Sequence, residues 1–199
     1  MKFRIDLKIL FFLALFSLTR QLKVYLIVML FALLHEIVHL IVGIILKFKP
    51  KQVEMMSFGF WIDLKPKKED YETKIIKSNI VELKYIFVAL AGPLFNLLMV
   101  ILFERFNIEK TIKDLIIYSN FFLLVLNLIP IYPLDGGRII RSILRIFQGK
   151  KLAEKNMKII ANTAIALLTF IGSIAILYFK NIAIFFILIY LWILVLKEK

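Results

Sequence analysis

The stretch VYLIVMLFALLHEIVHLIVGIIL, Val24 to Leu46, decides the fold. It lies between Lys23 and Lys47 and is apolar except for three close neighbours, His35, Glu36 and His39. At ~1.5 Å per residue, a helix of this length crosses the ~30 Å core of a bilayer. Ionisable side chains at that depth are costly unless something compensates them. The spacing says what does. Histidines at i and i+4 share one helical face and can both ligate zinc, and the glutamate beside the first is placed to act as general base. An isolated buried histidine is more often structural. Here, however, the only two histidines of the chain both stand where the motif needs them. The stretch therefore reads as a zinc site inside a membrane.

Composition agrees with that setting. With 61% hydrophobic residues in 199 and a mean hydropathy of +0.87, the chain is expected to be an all-α polytopic membrane protein, one membrane-embedded domain over 1–199. It has no cysteine, which excludes disulfides and thiolate metal sites. A net charge of +13 would point to nucleic acid in a soluble protein. Here the basic residues flank apolar runs, so topology accounts for them and nucleic acid is not an expected partner. The N-terminal apolar run has no small-residue cleavage site after it and is read as a retained span.

Six transmembrane helices are expected: Ile9–Leu18, the histidine helix, Tyr85–Phe103, Leu115–Ile131, Ile159–Phe179 and Ile182–Leu196. Residues 48–84 form a cytosolic or interfacial loop. Its piece MMSFGFWIDL, Met55 to Leu64, predicts a short membrane-associated β-hairpin or strand. Span three contains AGPLFN, in which Ala91, Gly92 and Pro93 permit close helix approach and a kink, and Asn96 needs a polar partner. After span four comes NLIPIYPLDGGR, residues 127–138: Pro130 and Pro133 break the helix, and Gly136 with Gly137 allow a tight turn. Irregular backbone at membrane depth survives only where protein or a water-filled cavity covers it, which suits Asp135 to a site. An Asp-Gly surface turn is the plainer reading of Asp135. A two-histidine site lacking a third ligand favours the carboxylate as that ligand. Asn127 is a candidate hydrogen-bond donor to a substrate carbonyl or backbone, or else a capping and packing residue. Residues 139–147 predict a basic amphipathic helix whose Arg141 and Arg145 meet lipid headgroups.

Charge orients the bundle. With six spans, 21 of the 27 Lys and Arg residues fall on the side of the two termini and the second and fourth loops. The positive-inside rule puts that side, and both termini, in the cytosol. Spans two and four then both run inward, so His35, His39 and Asp135 approach the same side at similar depth.

HEIVH, AGPLFN and NLIPIYPLDGGR, in that order, resemble the site-2 protease family of intramembrane zinc metalloproteases over roughly residues 30–140. The resemblance implies one Zn2+ per chain held by His35, His39 and Asp135, with Glu36 as catalytic base. In wording and in compact six-span layout the chain looks most like the family's sporulation branch. That implies a membrane-tethered substrate, a pro-sigma factor, membrane regulatory proteins as further partners, and a place in the mother-cell membrane around the forespore. An anti-sigma factor or a signal-peptide remnant is the alternative substrate. A non-proteolytic zinc carrier or pseudo-enzyme scaffold is the alternative class. No PDZ domain is expected, and no CBS domain of the kind sporulation members carry.

Overall fold

The computed structural model describes residues 2–5, 22–56, 59–65, 75–180 and 182–197. Strand β1 (Lys2–Ile5) is followed by helix α1 (Leu22–Ile45), strands β2 (Lys49–Met56) and β3 (Gly59–Lys65), and helices α2 (Ile75–Arg105), α3 (Lys110–Asn127), α4 (Asp135–Phe179) and α5 (Ile182–Lys197). The chain divides into two compact units, Met1–Leu126 and Asn127–Lys199.

In the first unit, α1 is built the opposite way round from a helix of a water-soluble protein. It buries Tyr25, Phe31, Ala32, His35, His39 and Gly43 and leaves Leu26, Leu30, Ile41 and Ile44 half exposed or more. Hiding the polar groups and showing the apolar ones is stable only where the surroundings are apolar too. The helix ends in a Schellman motif. Phe48 N–H donates to Gly43 O and Lys47 N–H to Ile44 O, with Lys47 in the left-handed region at φ 67. That turn swings Phe48 inward, where its buried ring lies 4.9 Å from the ring of Tyr85 on α2. Phe31, Ala32, Ile116 and Leu123 form the core between α1 and α3, with Phe95, Met99 and Phe103 of α2 packed against it.

The three strands form one sheet in the order β1-β2-β3, parallel between β1 and β2 and antiparallel between β2 and β3. The β2–β3 pairing runs from Lys49 opposite Lys65 to Met56 opposite Gly59, and both strands lie alongside α1. β2 starts at Lys49, well before the Met55–Leu64 segment marked by β-prone residues, because pairing with a neighbour recruits a lysine-rich sequence that propensity alone would leave as loop.

In the second unit α4 and α5 pack along their apolar lengths. Met157, Ala161, Ile165, Leu191 and Val195 are buried, and Trp192 Nε1 donates to Thr169 Oγ1 at 3.0 Å. α4 is two helical segments, as expected, meeting at a kink where Gly149 is non-helical (φ 74, ψ 166), a conformation essentially confined to glycine. Across that bend, Arg141 and Arg145 both bind the Glu154 carboxylate. These arginines therefore meet a carboxylate of their own chain, where lipid headgroups had been expected. The guanidinium of Arg141 also covers the Tyr132 ring at 4.5 Å.

Among the described residues three helices are long and apolar enough to cross a membrane: Leu22–Ile45, Asn79–Arg105 and Asp135–Tyr178. The expected span Ile9–Leu18 lies outside the described residues. α3 opens on Lys110, Lys113 and Asp114, which leaves too short an apolar run in its 18 residues. At 16 residues, α5 reaches ~24 Å, short of a ~30 Å core.

Candidate metal centre

His35 and His39 are one helical turn apart on α1, each 2% exposed, and their Nε2 atoms face each other at 3.0 Å. The other nitrogen of each ring is engaged from α2. His39 Nδ1 lies 2.6 Å from Val88 O, so Nδ1–H donates to that carbonyl and the Nε2 lone pair is turned towards His35. The Asn96 amide nitrogen lies 3.0 Å from His35 Nδ1. α2 can come this close because position 92 is glycine: a Cβ there would overlap Nε2 of both imidazoles. The next residue, Pro93, has no N–H for the carbonyl of Ala89, which loosens the helical ladder beside the turn that receives His39.

Two nitrogens bound at ~2.0–2.1 Å to one tetrahedral ion sit ~3.3 Å apart, close to the 3.0 Å seen here. Ring nitrogens pointing inward while their partners are anchored from outside are the usual surroundings of a metal-ligating histidine. The donor set therefore fits a zinc ion. A further sign is the Asn96 carbonyl oxygen, which is buried with no hydrogen-bond partner. Glu36 stands half-buried on the same helix, next to His35.

Asp135 belongs to the second unit. It is the first residue of α4, preceded by Leu134 in extended backbone, and is 4% exposed. The positive end of the helix dipole stabilises a carboxylate there, and Arg138 Nη1 lies 3.7 Å from Asp135 Oδ1. The backbone before it leaves the helical course after Asn127, includes a cis Tyr132–Pro133 bond, and folds closely over the start of α4. Gly136 and Gly137 are required by that approach: Cβ atoms on them would overlap the backbone of Leu128 and of Ile131–Tyr132. They thus lie within the first helical turn, where a separate tight turn had been expected. Asn127 is the last residue of α3 and is half-buried. Sequence reasoning had marked Gly92 and Asn96 for close approach and for need of a partner. Val88 was missed, since it enters through its carbonyl and side-chain patterns carry no signal for that.

Three comparisons bear on this arrangement. The family model described as Peptidase family M50 matches residues 103–171. Stage IV sporulation protein FB of Bacillus subtilis (strain 168) is 28% identical over 131 residues, 64% of this chain and 42% of the relative. The site-2 protease from Methanocaldococcus jannaschii superposes with a TM-score of 0.62 at 22% identity, covering 98% of this chain and 88% of that one. The fold is that of the site-2 protease, residues 103–171 match the family M50 model, and the HEIVH motif lies on a helix long and apolar enough to cross a membrane. Of Stage IV sporulation protein FB the chain spans less than half the length.

Proposed function

We propose that this chain is an intramembrane zinc endopeptidase that hydrolyses a peptide bond of a membrane-associated protein near the cytosolic face. The observation that carries the reading is the pair of buried imidazoles whose Nε2 atoms converge at 3.0 Å while Val88 and Asn96 hold their other nitrogens. His35, His39 and Asp135, each buried and each offering one ligand atom, would hold the ion. One position would remain for water, the coordination of a catalytic site.

A zinc ion held there supplies Lewis acidity, making water a stronger acid and a peptide carbonyl a better electrophile. The rest falls to the chain's own residues. Glu36 takes the proton of the attacking water and passes it to the departing amine. Asn127 donates a hydrogen bond to the substrate carbonyl or backbone. A scissile bond must be drawn out of helix before it can react. β3 is an outer strand of the β1-β2-β3 sheet among the described residues, and it offers an edge on which an extended substrate can add as a further strand. The sheet then lies at the membrane interface. In this reading the chain crosses the membrane six times with both termini in the cytosol, the three long apolar helices being joined by shorter crossings at α3, α5 and the N-terminal apolar run.

The substrate we propose is a membrane-bound pro-sigma factor in a sporulating cell, on the strength of the similarity to Stage IV sporulation protein FB. Co-expression with a tagged pro-sigma factor tests this. Wild type is expected to release the shortened factor, and Glu36→Gln to lose at least ~100-fold of that activity while keeping its zinc. Cleavage that survives Glu36→Gln defeats the mechanism. Zinc uptake into vesicles that is indifferent to the same substitution would mark a carrier instead.

A further inference from the structure

Asp135 stands at the end of an irregular stretch, and a ligand delivered that way needs bracing: donors stay within ~0.5 Å of a productive geometry only when neighbouring groups fix them. The bracing begins at Tyr132. Residues 131–134 form a turn closed by Leu134 N–H, which donates to Ile131 O at 2.9 Å, and Leu134 directly precedes Asp135. Ile131 anchors the turn from within, fully buried, whereas Tyr132 at its corner is half-buried. The Arg141 guanidinium covers the Tyr132 ring, 4.5 Å from its centre. Arg141 is held in turn from beyond the kink at Gly149. Its Nε donates to Glu154 Oε1 at 3.1 Å and its Nη2 to Oε2, a two-pronged pairing that fixes the plane of the guanidinium as well as its position. Arg145 Nη2 donates to the same carboxylate at 2.6 Å, which steadies Glu154.

We infer that Arg141 is a positioning residue for the third metal ligand: clamped by Glu154, its guanidinium holds Tyr132 and with it the turn that sets Asp135. The side chains of Arg141 and Glu154 are 21% and 31% exposed, too enclosed for the freely hydrated surface pair that contributes little. The contact with the ring gains from the same enclosure, since a cation over an aromatic face is attracted more strongly when water is excluded. Arginine suits the position because one flat group can grip a carboxylate through two N–H bonds and still lay its face on a ring, which a compact ammonium cannot do. Arg138 and Arg141 thus act at different points. Arg138 lies beside the Asp135 carboxylate itself, whereas Arg141 acts on the backbone that carries it. Groups that orient a ligand in this way are worth ~10–100-fold in metal affinity.

The inference rests on the zinc reading above, and the experiment separates the two. Full-length protein in detergent is stripped of metal, and Zn2+ affinity is measured by competition with a chromophoric chelator, beside thermal unfolding, for wild type, Arg141→Gln, Tyr132→Leu and the double variant. Wild type is expected to bind one ion, and each single variant to bind it ~10–100-fold more weakly. The double variant is expected to stay within about threefold of Arg141→Gln, because the two residues form one brace and their losses do not multiply. Wild-type protein that takes up no zinc defeats the metal site itself, and the brace with it. Wild-type binding with Arg141→Gln less heat-stable yet within about threefold in affinity overturns the brace alone, since a merely structural arginine would behave that way. Losses that multiply in the double variant overturn it too. Should Arg141→Gln fail to fold, Tyr132→Leu and Glu154→Gln decide: both keep Arg141, and affinity within about threefold of wild type in either contradicts the inference.

Discussion

Glycine at position 92 sets how near α2 comes to the histidine pair, and its effect can be separated from helix propensity by sign. In an ordinary helix interior Gly→Ala stabilises by roughly 0.5–1 kcal/mol. At Gly92 the added methyl group meets Nε2 of both His35 and His39. Gly92→Ala is therefore expected to lower zinc affinity by at least ~10-fold, with a melting temperature that does not rise as propensity alone would have it. Chelator competition beside thermal unfolding reads both quantities. Lys47 is the opposite case. It holds φ 67 at the end of α1, a conformation that costs a residue with Cβ roughly 1–2 kcal/mol. Lys47→Gly should relieve part of this and stabilise the protein by ~0.5–1 kcal/mol, measured by denaturant unfolding. How far each residue was legible depended on range. HEIVH is local, so its chemistry could be read from spacing. The partners of the two imidazoles, Val88 and Asn96, lie 49 and 61 residues away. From sequence, Asn96 was visible as a polar group in want of a partner, but its partner was not.

At the scale of elements, α4 shows what patterning catches and what it misses. Its basic stretch and its apolar stretch differ in composition and read as two segments, and the helix is indeed interrupted between them, by a kink at Gly149. A Cβ at Gly149 would touch nothing within 4 Å, so Gly149→Ala tests backbone strain free of steric clash. The expected cost is ~1–3 kcal/mol, again read from unfolding. The bend also explains why Arg141 and Arg145 were read as lipid contacts. They lie 13 and 9 residues before Glu154, beyond the three- and four-residue spacings by which helical pairs are recognised. The bend nevertheless brings the three together. The β-strands are a similar case. Aromatic residues advertise β3, whereas β2 begins in KPKQ, which forms strand because it has neighbours to pair with.

At the scale of the molecule, the remaining question is which way the helices run, and the sequence is unusually well suited to answering it. The chain has no cysteine, so any single introduced thiol can be labelled without background. On the proposed six-span topology, the loop before α3 lies on the far side of the membrane from the basic stretch after Gly149. Lys110 and Lys151 are both exposed, and substitution at either removes no contact of the core. In intact cells a membrane-impermeant maleimide is expected to label Lys110→Cys and to spare Lys151→Cys until the membrane is opened. The proposed chemistry depends on this result as much as on any side chain. α1 and α3 must both run inward for His35, His39 and Asp135 to approach one face of the bilayer. Labelling of both thiols from the same side would put an odd number of crossings between them out of the question, and with it a common depth for the three ligands.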